Sequence, residues 1–429
     1  MLEDWRGNPV STSREDTLAA IDRFSEQILS YGNGAGAILG AAETDPDGVL
    51  VNTLAAALCL FLEDGKSARK AEPFLARAEA GLAAGASERE RMLLAAVRSW
   101  AARDTARAQQ IQEEIASAYP RDILSAKFGQ YHAFNRGDLA GMLRIAEKVF
   151  ASNTDLAYMH GMMAFGYEQN HRLQEAEAAG RRAVEIMPAE PWAHHAVAHV
   201  METQGRVQEG IAWMESHAPS WEGRNSFMLT HNYWHLALFY MDLDRHDAVL
   251  DLYDRCIWGV FKAYSQDQIN AASLLWRLEL RGVDVGERWA DVSQHVARRG
   301  PEHIEPFHDL HYVYALARGG HDRELASLLQ SMRSSRPASP WRDVALPGAE
   351  GVVAHAKGDH AAAFRLLDPL RERWQEIGGS HAQRDLFVQT WLDAALRAGE
   401  GARVRPILEQ RLRDRPEIAV CRRWLARAD

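Results

Sequence analysis

Short polar punctuation recurs along the chain and constrains its fold more than any other feature: FNRGDLA (134–140), NHRLQEA (170–176), TQGRVQE (203–209), DLDRHDA (242–248), RGGHDRE (318–324), AKGDHAA (356–362) and RAGEGAR (397–403). Each stretch follows one amphipathic segment and opens another. The segments are rich in Ala, Leu, Glu, Arg and Gln, with apolar residues three and four apart, the period of a helix face. Alternating β-branched runs between turn signals, the mark of strands, are missing. This is the pattern of antiparallel helix pairs joined by tight turns.

In the middle of the chain the spacing becomes metric. Ala164 and Ala176 stand at the eighth and twentieth positions of a tetratricopeptide-like repeat, with Tyr167, Ala183 and Pro188 at the eleventh, twenty-seventh and thirty-second. One repeat later the two small positions fall on Ala198 and Gly210, and after an insertion on Ala237 and Ala248. Small residues are needed there because helices cross closely, and the period is the roughly 34 residues of this repeat class. The repeats are clearest within about 155–260. The expectation is one all-α domain over residues 1–429, a tetratricopeptide-like helical-hairpin superhelix (an α-solenoid), curved or closed around a central pocket, with degenerate hairpins on either side.

Composition bounds the partners. A formal net charge of −10 over 429 residues argues against a nucleic-acid partner, which wants a basic surface. No polybasic amphipathic cluster points to a membrane, and the most apolar run, VLVNTLAAALCLFLEDG, is interrupted by Asn52 and too short to span one. Cys59, Cys256 and Cys421 are widely separated and odd in number, which fits a reducing compartment. The start, MLEDWRGNPVSTS, is acidic and polar rather than a signal peptide. A cytoplasmic protein is expected.

Histidines supply the candidate chemistry. Residues four and seven apart share a helix face, so His195, His199 and Glu202 of WAHHAVAHVMETQGR form one stripe, with His194 off it. His231 and His235 of LTHNYWHLALFY form a second stripe. Stacked first helices of neighbouring repeats bring the two together, four imidazoles and a carboxylate on one wall of a groove. EPFHDLHYVYALA adds His308, Asp309 and His311. Three readings stay open: a buried polar packing network, a pocket in which His, Asn232 and Trp234 recognise a small polar molecule or a peptide end, and an acid–base or metal site. His199 and His235 are the metal candidates, for a divalent ion such as Zn or Fe. Against a metal, HAVAH lacks the Glu of His-Glu-x-x-His.

Other signals are weaker. YGNGAGAILGAA (31–42) has neither a P-loop Lys nor a preceding strand and reads as a helix stop and loop. Cys256 reads as a small buried apolar residue. No Gly-x-Ser-x-Gly elbow is present. Trp192, Trp221 and Trp234 border the histidines and are candidates for the pocket wall.

WAHHAVAHVMETQGR, HNYWHLAL, LYDRCI, RWADV, RDVALP and GGSHAQRDLF together resemble the tetratricopeptide repeat protein 38 family, from about Asp4 to about Ala395. The resemblance implies that His195, His199, Glu202, Trp221, His231, Asn232, Trp234, His235, Asp309, His311, Arg342, Asp343, Gln383, Arg384 and Asp385 belong to the shared pattern, and that His194, His308 and His381 are surface or incidental residues. It transfers no activity. A shared groove of this composition implies a common small ligand or reaction. Arg384 and Asp385 either reach the pocket or pair with each other across the last helices.

The expected function is recognition of a small polar ligand in a His-rich pocket with hydrolytic or acid–base chemistry: His195, His199, Glu202, His231 and His235 as the candidate acids and bases, and Asn232, Trp234, Trp221, Asp309, His311, Arg384 and Asp385 as the candidate binding residues. The alternative is a non-enzymatic adaptor that holds a partner's segment, and self-association through the outer surface is a third.

Overall fold

The computed structural model describes residues 1–335 and 338–428. It is all-α, and the chain forms two compact units, Met1–Val197 with Ser220–Met228, and Ala198–Pro219 with Leu229–Asp429.

The first unit opens with a two-stranded antiparallel hairpin in which Leu2 faces Val10 and Glu3 faces Pro9. Helix Glu15–Leu29 follows, and then Ala37–Thr44, which begins inside the glycine-rich stretch expected to be a loop. Successive pairs pack against each other: Val49–Leu60 on Ser67–Gly81, Glu88–Ala101 on Thr105–Ala118, Ile123–Asn135 on Leu139–Phe150, and Ala157–Gln169 on Leu173–Ile186. Helix Val49–Leu60 carries the most apolar run of the sequence because it is buried almost all round. Its one amide, Asn52, donates to the carbonyls of Asp45, Pro46 and Gly48 at 3.0, 3.2 and 2.8 Å, so this buried polar group ties down the preceding turn. Among the described residues, no helix is long and apolar enough to cross a membrane.

The punctuation has one geometry throughout. Arg103, Gly137, His171, Gly205, Asp244, Gly320, Gly358 and Gly399 all adopt positive φ, and in each case the next helix starts two residues later. Glycine takes this left-handed conformation without steric cost, whereas Arg103, His171 and Asp244 adopt it against their preference. The first four of these residues fall at a constant 34-residue step in the numbering. At three of the turns, Asp104, Asp138 and Asp359 then cap the new helix, accepting from the N–H of Arg107, Gly141 and Ala362. The repeat grammar thus extends on both sides of the stretch where the sequence displays it best.

In the second unit, Ser265–Leu280 packs on Arg288–Ala297, Pro306–Arg318 on Asp322–Ser335, Leu346–Ala356 on His360–Leu367, and His381–Arg397 on Gly401–Asp414. Ser265–Leu280 also packs on His381–Arg397, far along the chain, and this contact positions the site below. The small positions behave as the spacing predicts: Ala164, Ala176, Ala183, Ala198 and Ala237 are fully buried. A Cβ on Gly210 would sit 2.3 Å from Phe239, so a close helix crossing demands glycine there. Ala248 differs: it is only half-buried, on the short helix His246–Leu252. Cys256 is also half-buried rather than buried, because it lies in a short π-helical turn, Tyr253–Ile257.

Candidate functional site

Within the second unit, His199 and Glu202 come from helix Pro191–Thr203, and His231, Trp234 and His235 from helix Ser226–Asp242. The His199 and His235 rings lie 4.4 Å apart, and His231 meets His235 edge-on at 4.8 Å. His235 Nδ1 is 3.4 Å from Glu202 Oε2. Helix Ser265–Leu280 holds this group from behind. Trp234 Nε1 donates to Ser273 Oγ at 2.8 Å, and His231 Nδ1 lies 3.0 Å from Asn270 Oδ1. The Asn270 amide in turn donates to Thr230 Oγ1 at 3.2 Å, which leaves its carbonyl for the imidazole and puts the His231 proton on Nδ1. Trp234 stacks on His231, with ring centroids 5.3 Å apart.

Burial sets the protonation states. It pushes the Glu202 carboxyl up to about 7, against the pull of His199 and Arg415. It pushes His231 down to about 4, partly offset by the Asn270 hydrogen bond. A carboxyl that exchanges its proton near neutrality beside imidazoles is a usable acid or base.

Glu202 also lines a narrow pocket of about 10 Å³. The other lining residues are dominated by charge: Asp242, Arg277, Arg281, Asp385, Arg411 and Arg415, with Gln389. Arg411 grips Asp385 through two parallel hydrogen bonds of 2.7 and 2.9 Å. Burial alone would raise Asp385; Arg411 outweighs it and holds the carboxyl well below the usual range. Gln389 bridges, donating to Asp385 Oδ2 at 2.7 Å and accepting from Arg281 at 3.0 Å. Arg277 donates to the Ala382 carbonyl at 2.6 Å, while its Nη1 is buried with no acceptor among the described residues, as are Arg281 Nε and Arg411 Nε. Glu202 Oε2 likewise accepts no hydrogen bond among the described residues. Unmet buried donors cost about 1–3 kcal/mol each, and several of them gather here.

The other expected residues have surroundings of their own. His195 lies in the first unit, stacked on Trp192 at 4.4 Å and tilted against Phe165. Trp221, also in the first unit, is fully buried and donates to His194 Nδ1 at 3.2 Å, while His194 Nε2 reaches the Pro188 carbonyl at 2.9 Å. His194 is therefore a buried linchpin and not the incidental residue expected, and His308 is buried too, its Nε2 3.3 Å from the Gln266 amide. Asn232 is fully buried. Asp309 pairs with His303, and His311 Nδ1 reaches the Phe307 carbonyl at 2.9 Å. Asp385 lines the pocket; Arg384 does not. Its guanidinium turns to the Gly379 carbonyl and to His381 Nδ1, and Asp385 pairs with Arg411, so of the two alternatives only Asp385 reaching the pocket holds and the Arg384–Asp385 pair does not form. Arg342 and Asp343 pair with each other at 2.6 Å on the surface.

Sequence spacing did not single out Asp242, Arg277, Arg281, Gln389, Arg411 or Arg415. Arg277 and Arg281 stand four apart on one helix, as do Asp385 and Gln389 on another, and Arg411 and Arg415 close the chain's last long helix. That i,i+4 signal was readable, but by itself it shows only that the residues share a helix face.

No family model matches the chain. Two solved structures of human IFIT1 are similar at 13% identity. A dimer with PPP-AAAA matches over 100% of this chain and 97% of the IFIT1 chain at a TM-score of 0.45. A dimer with m7Gppp-AAAA matches over 98% and 95%, also at 0.45. The exclusion of a nucleic-acid partner is withdrawn. It rested on the net charge of −10. Net charge averages over a whole surface and does not describe a pocket, and here four arginines gather against that average.

Proposed function

We propose that the pocket around Glu202 binds a small polar molecule bearing an anionic group, and that Glu202 and His235 move a proton on it. The observation that carries this reading is the combination at one place of a carboxyl poised near 7 and buried guanidinium N–H groups with no acceptor among the described residues. Arg277 and Arg415 would hold the anionic group, a role suited to the planar guanidinium. Glu202 would then exchange a proton with the bound molecule, with His235 at 3.4 Å as relay and His199 behind it. The resemblance to the tetratricopeptide repeat protein 38 family supports this reading, since His199, Glu202, Trp234, His235 and Asp385 of its pattern fall on or beside this pocket.

A divalent Zn or Fe ion on His199 and His235 belongs to the same proposal: imidazoles are suitable donors for either metal. The neighbouring guanidiniums weigh the pocket towards an anion. Thermal-shift screening of the untagged protein against small carboxylates and phosphate esters tests the reading. At least one compound should raise Tm in the wild type and have no effect on Arg277→Gln; a panel without effect on the wild type contradicts it. Metal content of the wild type and His199→Ala/His235→Ala by mass spectrometry decides the ion.

A further inference from the structure

A second group of side chains in the second unit forms a relay of its own. Ser331 Oγ lies 2.8 Å from His303 Nε2, and His303 Nδ1 lies 2.5 Å from Asp309 Oδ2. The three come from separate pieces: the turn before helix Pro306–Arg318, the first turn of that helix, and the penultimate turn of helix Asp322–Ser335. His303 and Asp309 are buried, Ser331 is half-buried, and the Trp341 ring stands edge-on to His303 at 5.6 Å.

The hydrogen bonds fix the chemistry. An ionised carboxylate only accepts, so His303 donates from Nδ1 and its lone pair is on Nε2. Nε2 faces the Ser331 hydroxyl, which donates to it. Nucleophile, base and orienting acid thus stand in the order and at the distances that define an activated serine. His303 adopts a φ of 48°, the left-handed turn conformation that Arg103, His171 and Asp244 also take in this chain. Packing alone would ask only that both ring nitrogens be satisfied. Here the nitrogen turned away from the carboxylate meets the one member of the trio that solvent reaches.

We propose that Ser331, His303 and Asp309 form a nucleophilic triad that hydrolyses carboxylic esters, an activity separate from the Glu202 pocket. Ser331 Oγ bonds to the acyl carbon as His303 Nε2 takes the hydroxyl proton. The tetrahedral adduct collapses by breaking the bond to the alcohol oxygen, which leaves with the proton from His303. Water, giving a proton to the same nitrogen, then attacks the acyl carbon. The bond to Oγ breaks, Oγ recovers the proton, and the acid departs. Asp309 holds the ring and stabilises the imidazolium formed in each half. No sequence motif announces the trio, which is consistent with triads being defined by geometry rather than by chain order.

The test is labelling of the full chain with a fluorophosphonate, which phosphonylates an activated serine with loss of fluoride, read by peptide mass mapping. The expected result is an adduct on Ser331 that is slowed at least tenfold in His303→Gln. Asp309→Asn, which keeps the side-chain shape, supplies the same comparison if His303→Gln fails to fold. No adduct on Ser331 in the wild type, or equal labelling in a folded His303→Gln or Asp309→Asn, overturns the proposal.

Discussion

His235 Nδ1 and Glu202 Oε2, 3.4 Å apart, meet between two helices, at a carboxyl that burial pushes up to about 7. Folding raises Glu202 from an ordinary value near 4.5 to about 7. As pH climbs, the unfolded chain therefore loses this proton first. The stability tied to the protonated carboxyl is whole below about 4.5 and is gone above about 7. By linkage this amounts to about 2.5 kcal/mol between pH 5 and 8. Urea denaturation of the wild type and Glu202→Gln at the two pH values should show the variant gaining that amount on the wild type. A difference independent of pH would contradict the burial argument.

His231 runs the other way. Its folded value, about 4, lies below the ordinary 6.5, so its contribution is present above 6.5 and falls away as pH drops. The loss between pH 7 and 5 is about 2 kcal/mol. His231→Gln should flatten that part of the stability curve, as measured by denaturation at the two pH values.

Asp385 and Arg411 form a bidentate pair, their side chains 22% and 16% exposed. Asp385→Ala leaves a guanidinium unpaired in the pocket and should cost about 3 kcal/mol, whereas Asp385→Leu/Arg411→Met should cost less than either single change. A double-mutant cycle of unfolding free energies checks this.

Two glycines should respond oppositely to alanine. At Gly210 the new methyl meets Phe239, and overpacking should cost about 1–3 kcal/mol. Gly40, in helix Ala37–Thr44, has nothing within 4 Å of the place an alanine methyl would take. Gly40→Ala should therefore gain about 0.5–1 kcal/mol. Thermal unfolding of both variants gives the signs.

The helical class and the hairpin turns were legible because they are local: a left-handed residue, a capping Asp and a small residue at a crossing each leave a mark within a few positions. The pairs His199–Glu202 and His231–His235 were legible through helix spacing and repeat stacking. The arginines were not, because Arg277 meets Asp385 and Arg411 only after more than a hundred residues of chain, and nothing in the sequence marks that contact. Separation along the chain hides His303 from Ser331 in the same way. His194 was misread because a family pattern says nothing of the hydrogen bond from Trp221 that keeps it buried.

Asn270 presents an uncharged carbonyl oxygen to His231, and beside it the buried imidazole stays neutral. Exchanging the amide group for an oxygen, as Asn270→Asp does, would leave the shape intact and favour the imidazolium instead. A ring that burial keeps neutral would then hold its proton, so a single amide separates the two charge states of this buried site.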